Sequence, residues 1–220
     1  MKKLLYLLVT AVMMVSATSC KKDDDKSTPV NYPLDGLISY FTFDNTLADQ
    51  RSNTPDGSNN GAAFTAGKHN NAITLNGTDQ SVVFGKKTFK GGNNVSVALW
   101  FKTDEAGSTS FFIYCSDFGV FTSSSKVGMT ISLPLTNSAR GNYTVNTWTH
   151  LVSTYDGADI KTYINGALVE TTNHPGTISN GNQDLTIGEF SGNFWSGSVD
   201  DLFIYNKALS QSEVTQLYNL

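Results

Sequence analysis

Lys161-Thr162-Tyr163-Ile164-Asn165-Gly166-Ala167-Leu168-Val169 sets an Asn-Gly pair between two runs suited to extended chain. Both central residues tolerate positive φ, so they accept the type I′ turn whose twist matches that of two paired strands. The stretch predicts a tight antiparallel hairpin. Upstream, Thr147–Tyr155 reads as a further strand, closed off by Asp156-Gly157. Farther out, Val95, Val97, Leu99 and Phe101 share one face of a strand while Ser96, Ala98 and Trp100 share the other, because side chains alternate along extended chain. Trp100 then needs a cover of its own. Leu37–Phe43, Ala72–Leu75, Ser81–Phe84, Ser110–Tyr114, Val127–Leu133, Leu185–Ile187 and Ser198–Ile204 repeat the pattern between clusters of Gly, Asn, Ser and Asp. Short strands at such spacing predict an all-β sandwich or barrel. Only the end of the chain reads as helix. Ser210 and Glu213 form a capping box, and Val214, Leu217 and Tyr218 fall on one face, so this helix is expected to dock on the sandwich edge.

Composition supports a folded body. Of 220 residues, 39% are hydrophobic, with thirteen Phe and nine Tyr to fill a core. The net charge is −4, and no Lys/Arg-rich face stands downstream of the start, which argues against a nucleic-acid partner. At the front, Lys2 and Lys3 precede an apolar run from Leu4 to Val15 and then small residues. That is the build of a secretory signal, too short to span a bilayer as a helix. The small residues ending at Cys20 resemble a bacterial lipoprotein box, although Ala17 stands where Leu is usual. By that resemblance residues 1–19 are a lipoprotein signal peptide and Cys20 is the lipidation site. Residues 20–33 then form a flexible tether, since the run Lys21-Lys22-Asp23-Asp24-Asp25-Lys26 cannot bury apolar area. The same run resembles the export signal of surface-displayed lipoproteins of Bacteroidetes-type bacteria. It implies an outer-membrane, lipid-anchored protein facing outward; a solvated spacer on an inward-facing lipoprotein is the alternative.

Residues 34–220 resemble the laminin-G-like, concanavalin A-type jelly roll. The resemblance rests on Leu37–Asp44 with Asp49, Ser52 and Asn53, on Ala72–Gly77 with Ser81–Val83, on Trp148–Val152 with Tyr163–Gly166, and on Phe194–Ser210. It implies an antiparallel two-sheet jelly-roll β-sandwich with one short C-terminal helix. Lectins, glucanases, adhesion modules and spacers all use that fold, so the site must be argued separately.

Catalysis finds no support. Glucanases of this fold resemble one another in a Glu-x-Asp-x-x-Glu strand, and none of Glu105, Glu170, Glu189 and Glu213 stands in one. Asp200 and Asp201 are adjacent, so regular alternation sends them to opposite faces. His150 reads as a packed histidine hydrogen-bonded by its neighbours, and Cys115 as a buried strand thiol. In related jelly rolls a calcium ion links the first strand, a glycine carbonyl and the last strand. That resemblance assigns Asp44, the Gly77 carbonyl and Asp200 as ligands of a structural calcium. Asp200 shares a strand face with Leu202 and Ile204 on strict alternation, and a buried carboxylate needs a partner. Its alternative is to cap loop N–H groups or pair with a lysine, with no ion.

Glycan sites use aromatic faces ringed by amides and carboxylates. The loop candidates are Phe118 and Phe121 near Asp117, Tyr143 beside Arg140 and Asn142, and Phe190 with Asn193 and Phe194. Phe118 and Phe121 suit either a loop platform or an inter-sheet plug, and Trp195 reads as core. Two functions follow. One is a surface lipoprotein that captures polysaccharide or glycoconjugate without breaking bonds. The other is a structural or adhesive module that binds a protein partner at the outer membrane.

Overall fold

The computed structural model describes residues 31–85, 89, 92–131, 138–178 and 183–220. Cys20, the expected signal segment and all but the last residues of the expected tether lie outside the described residues, as does the expected strand end at Leu133. The strands are β1 (Leu37–Phe41), β2 (Ser58–Asn60), β3 (Ala63–Ala66), β4 (Asn71–Asn76), β5 (Ser81–Phe84), β6 (Val95–Lys102), β7 (Ser110–Tyr114), β8 (Gly119–Ser123) and β9 (Lys126–Thr130). Then come β10 (Ala139–Asn142), β11 (Thr149–Tyr155), β12 (Asp159–Ile164), β13 (Ala167–Asn173), β14 (Leu185–Ile187), β15 (Glu189–Phe190), β16 (Asn193–Phe194) and β17 (Ser196–Tyr205), followed by helix α1 (Gln211–Tyr218).

Among the described residues one sheet has the order β13-β12-β11-β6-β17-β4-β3, with β1 also paired to β17, and the other β10-β9-β8-β7-β14-β5-β2. All the ladders between these strands are antiparallel. The alternation of β6 decides what lies between the sheets. Val95, Val97, Leu99 and Phe101 join Phe112, Val120, Leu151, Trp195 and Val199 in the inter-sheet core. Ala98 belongs instead to a second cluster on the outer face, with Val152, Tyr163 and Phe203.

Asn165 and Gly166 adopt φ 49° and 81°, and Ile164 pairs with Ala167, so the hairpin closes as the turn chemistry requires. Strand β1 ends at Phe41, two residues earlier than expected, because Phe43 and Asn45 both turn into positive φ. The loop that follows is organised by Asp49. Its buried carboxylate accepts the main-chain N–H groups of Tyr40, Arg51, Asn53 and Thr54 at 2.8–3.1 Å.

The helix has both halves of its capping box, Ser210 accepting from the Glu213 N–H and Glu213 from the Ser210 N–H. It docks on the outer face of the β6-containing sheet, where Val214 and Leu217 are buried, and not on the sandwich edge. That face offers Ala98, Val152 and Phe203, an apolar strip that solvent would otherwise meet. Tyr218 stacks on Trp100 at 5.7 Å, and the Lys68 ammonium lies 4.3 Å from the Trp100 ring; together they cover the indole. The packed unit starts at Asn31. Tyr32, expected within the tether, packs on Tyr40 and Phe203 at 5.2 and 5.3 Å.

Candidate functional site

Four rings gather on the outer face of the β7-containing sheet. Phe111 contacts Phe121, Phe190 and Tyr114 at centroid distances of 5.4, 4.7 and 5.7 Å, and Tyr114 meets Phe190 at 4.2 Å. Phe111 and Phe121 are buried by this contact; Tyr114 and Phe190 stay half-exposed. Gly119 makes the arrangement fit, since a Cβ there would stand 2.5 Å from the Phe111 ring. Phe190 is presented by a two-residue hairpin. Ser191 and Gly192 take φ 53° and 77°, Phe190 pairs with Asn193, and the Glu189 carboxylate accepts the Gly192 N–H at 2.6 Å.

Leu185 and Ile187 of β14 point into the core, so Asp184 and Thr186 point outward beside Tyr114. The result is an open concavity of about 380 Å³ lined by Tyr114, Gln183, Asp184, Thr186, Glu189, Phe190 and Ser191. Burial, and then the neighbouring Cys115, raises the Tyr114 hydroxyl above its ordinary pKa, so it remains a neutral donor. Half-exposed rings beside an amide, a hydroxyl and carboxylates give a ligand an apolar face to lie on and polar groups to orient it.

The residues expected to bind ligand are placed differently. Phe118 lies in the inter-sheet core, T-shaped to Phe89 at 6.3 Å. Phe121 is 1% exposed beneath Phe111. Tyr143 packs on Phe101 at 5.4 Å and donates its hydroxyl to the Glu105 carbonyl at 2.7 Å, which removes ring and hydroxyl from use. These three are corrected to structural roles. The segment carrying Phe118 and Phe121 is no open loop, because Gly119 begins a strand. Phe194 is half-buried opposite Glu189 on the ribbon, adjoining the concavity. Trp195 is core, stacked on Phe112 at 4.6 Å. Arg140 lines a different hollow, at the sheet edge. Tyr114, Gln183, Asp184 and Thr186 escaped the sequence reading, although the Leu185–Ile187 alternation already turns Asp184 and Thr186 outward.

The calcium ligands named from the resemblance do not converge. Strand β17 carries a bulge between Asp200 and Phe203 against β6, with Asp201 at φ 46°. One inserted residue reverses the facing of everything beyond it. Asp200 therefore lies opposite Trp100 on the outer face, away from Leu202 and Ile204. Its carboxylate accepts the N–H groups of Lys68, His69 and Asp201 at 2.9–3.0 Å, the capping alternative. Asp44 holds the other end of the same turn, accepting from Asn71 N–H and Asn70 Nδ2. Gly77 stands beyond the far end of β4 against Ser196, roughly 17 Å along the ladder from Asp200. It is at Gly67 that an added Cβ would meet the Asp200 carboxylate, at 2.6 Å. Among the described residues no group of three or more His, Cys, Asp or Glu side chains is placed to hold a metal ion.

The bulge also overturns the expected divergence of the two aspartates. Asp201 takes the His69 imidazole at 2.6 Å and the Tyr40 hydroxyl at 2.8 Å, so both carboxylates grip the Gly67–Asn71 turn. Each glutamate is likewise tied to main chain: Glu105 accepts from Ser196, Glu170 from Arg140, Glu189 from Gly192 and Glu213 from Ser210. His150 is buried as expected, between Trp100 and Tyr218, but its Nδ1 has no partner among the described residues. Burial, helped by nearby His69 and Lys68, brings its pKa down to about 3. Cys115 is buried and its thiol is pushed up to about 12 by desolvation, which suits packing and not nucleophilic attack.

Residues 76–215 match the family model described as the concanavalin A-like lectin/glucanases superfamily. No curated protein matches the chain. Among solved structures, domain 4 of AbnA, a GH43 extracellular arabinanase from Geobacillus stearothermophilus, in complex with arabinotriose, is 25% identical. The match has a TM-score of 0.69 and covers 83% of this chain and 98% of that one. The binding domain of Paraclostridial Mosquitocidal Protein 1 is 17% identical, with a TM-score of 0.68 over 84% of this chain and 52% of that one. A structure of botulinum neurotoxin type C, whose cell entry depends on interaction with two ganglioside molecules, is 16% identical, with a TM-score of 0.67 over 84% and 51%. This chain thus spans about half the length of each toxin chain, and those two likenesses speak to the fold alone. Strand order, turn chemistry and the matched span agree that the chain belongs to the concanavalin A-like lectin/glucanases superfamily, in its laminin-G-type branch.

Proposed function

We propose that the chain is a non-catalytic carbohydrate-binding module that takes a sugar of a polysaccharide or glycoconjugate at the Tyr114–Phe190 concavity. The observation that carries this reading is the pair of half-exposed rings 4.2 Å apart, bordered by Gln183, Asp184 and Thr186. The likeness to a domain in complex with arabinotriose supports it, at 25% identity over 98% of that domain. The reading includes a lipid on Cys20, a tether that carries the domain clear of the headgroups, and outward display at the outer membrane, where polysaccharide would be captured. Two acyl signals suffice for stable anchoring, so the tether needs no membrane contact of its own.

Calorimetric titration of the full chain with arabinan and other neutral polysaccharides tests the site. Phe190→Ala and Tyr114→Ala should each weaken binding by about tenfold or more, while Tyr143→Phe leaves it unchanged. Equal affinity in wild type and both alanine variants would sink the assignment.

A second reading has its own observation. Strand β13 is a sheet edge on which Leu168 and Val169 are each 48% exposed. An edge of that kind suits strand addition by a protein partner. Capture of an outer-membrane protein without binding to any polysaccharide would favour this adhesive role.

A further inference from the structure

At the opposite border of the β7-containing sheet, β10 runs beside β12 and β13 of the other sheet, and a hollow of about 370 Å³ opens between them. Its floor is aliphatic, from Ile164 and Val169. Gly141 lets β10 pack closely on that floor, since a Cβ there would come within 2.7 Å of the Val169 side chain and closer still to Ile164. Around the rim stand Arg140, Lys126 and Asn142. Among the described residues the only acid lining it is Glu170, whose carboxylate is held by the Arg140 main-chain N–H at 2.5 Å.

Among the described residues both rim cations lack a charged or aromatic partner, as does Arg51, which does not line the hollow. Lys161 and Lys207 are paired with acids, and Lys68 and Lys102 lie over Trp100 and Trp148. Lys126 has no such partner among the described residues, and neither has the Arg140 guanidinium. In a chain of net charge −4, two uncommitted cations beside one concavity create a local field suited to an anion. Arginine supplies a planar fork that matches a carboxylate or sulfate, and Lys126 adds a mobile point charge. The Tyr114–Phe190 concavity is the reverse, with Asp184 and Glu189 and, among the described residues, no cation in its lining.

We infer that the Arg140–Lys126 hollow is a second sugar subsite, selective for a residue bearing a carboxylate or a sulfate ester. The inference rests on the carbohydrate-binding reading, and the hollow is separate from the Tyr114–Phe190 concavity.

The test titrates the full chain with two matched pairs: polygalacturonate against its methyl ester, and dextran sulfate against dextran. Wild type should prefer the charged member of at least one pair by about tenfold, and the preference should fade in about 0.5 M salt. The pair that shows it identifies carboxylate or sulfate. Arg140→Gln with Lys126→Gln should remove the preference and leave binding to neutral polysaccharide intact, which also reports that the variant is folded. Arg140→Lys should retain part of the preference. Phe190→Ala should do the opposite, weakening neutral binding only. A preference that survives in the double glutamine variant overturns the inference, as does binding of polyglutamate without binding of either charged glycan. If neutral glycan binds through Phe190 with no charge preference, this inference alone falls. If no glycan binds at all, the carbohydrate reading falls with it.

Discussion

His150 and Asp200 occupy the same outer face and titrate abnormally in opposite senses. Burial drives the His150 pKa down to about 3, and burial drives the Asp200 carboxyl up to about 7 against three N–H groups that favour its charge. For His150 the folded value lies below the unfolded one, so its stabilising contribution is present above about pH 6.5 and is lost as pH falls toward 3. For Asp200 the folded value lies above the unfolded one, so its contribution is present below about pH 4 and is lost as pH rises through 7. Between about pH 4 and 6.5 the two slopes oppose each other, each at most about 1.4 kcal/mol per pH unit. Urea midpoints across that window should therefore change little for these groups in the wild type. His150→Phe should become more stable on acidification, and Asp200→Asn should become less stable more steeply than wild type. Parallel pH profiles for all three proteins would contradict this account. That His150 is buried could be seen from its strand; that its Nδ1 is unpartnered depends on Trp100 and Tyr218, which only the tertiary fold brings to it.

Elements differ in how far they could be read. Strand β6 and the β12–β13 hairpin were legible because alternation and Asn-Gly turn chemistry are local signals. Strands β2, β3, β8 and β10 were not, since Ser58-Asn59-Asn60, Ala63–Ala66, Gly119 and Gly141 resemble loop composition. Their extended state is imposed by partners: Gly119 faces the Phe111 ring and Gly141 the Ile164 side chain. The bulge in β17 was equally invisible, and it alone moved Asp200 to the other face. The β15–β16 ribbon belongs with these short elements, yet it presents half of the candidate site. Gly192 adopts φ +77° with open space around its would-be Cβ, so a side chain there meets backbone strain and no clash. Gly192→Val should cost about 1–2 kcal/mol locally. Because the ribbon is peripheral, the melting midpoint should hold nearly constant while affinity for neutral polysaccharide falls with the displaced Phe190. Loss of midpoint and affinity in proportion would show instead that the ribbon is part of the core.

For the molecule as a whole, the closing strand is the one on which the long-range pairings depend. Strand β17 pairs with β6 along one side and with β4 and β1 along the other, so Leu37 meets Tyr205 across nearly the whole described chain. Val199, Leu202 and Ile204 from this strand also reach the inter-sheet core. No earlier segment can substitute, and contacts of such sequence separation form late and slowly. The helix that follows is an addition to the outer face. Its removal exposes the contacts of Val214 and Leu217, a loss of roughly 3–5 kcal/mol, and leaves every ladder in place. A chain ending at Leu209 should therefore keep its β-sheet circular dichroism and a cooperative urea transition at a lower midpoint. A chain ending at Trp195 loses an interior strand of one sheet and should show no cooperative transition at all. If that shorter chain still unfolded cooperatively, the sheet built on β7 would be an independent folding unit, and the candidate sugar site on it would not require the other layer. The stacking of Phe112 of one sheet on Trp195, and the meeting of Phe101 with Phe112 at 5.5 Å across the core, argue that the two layers stand or fall together.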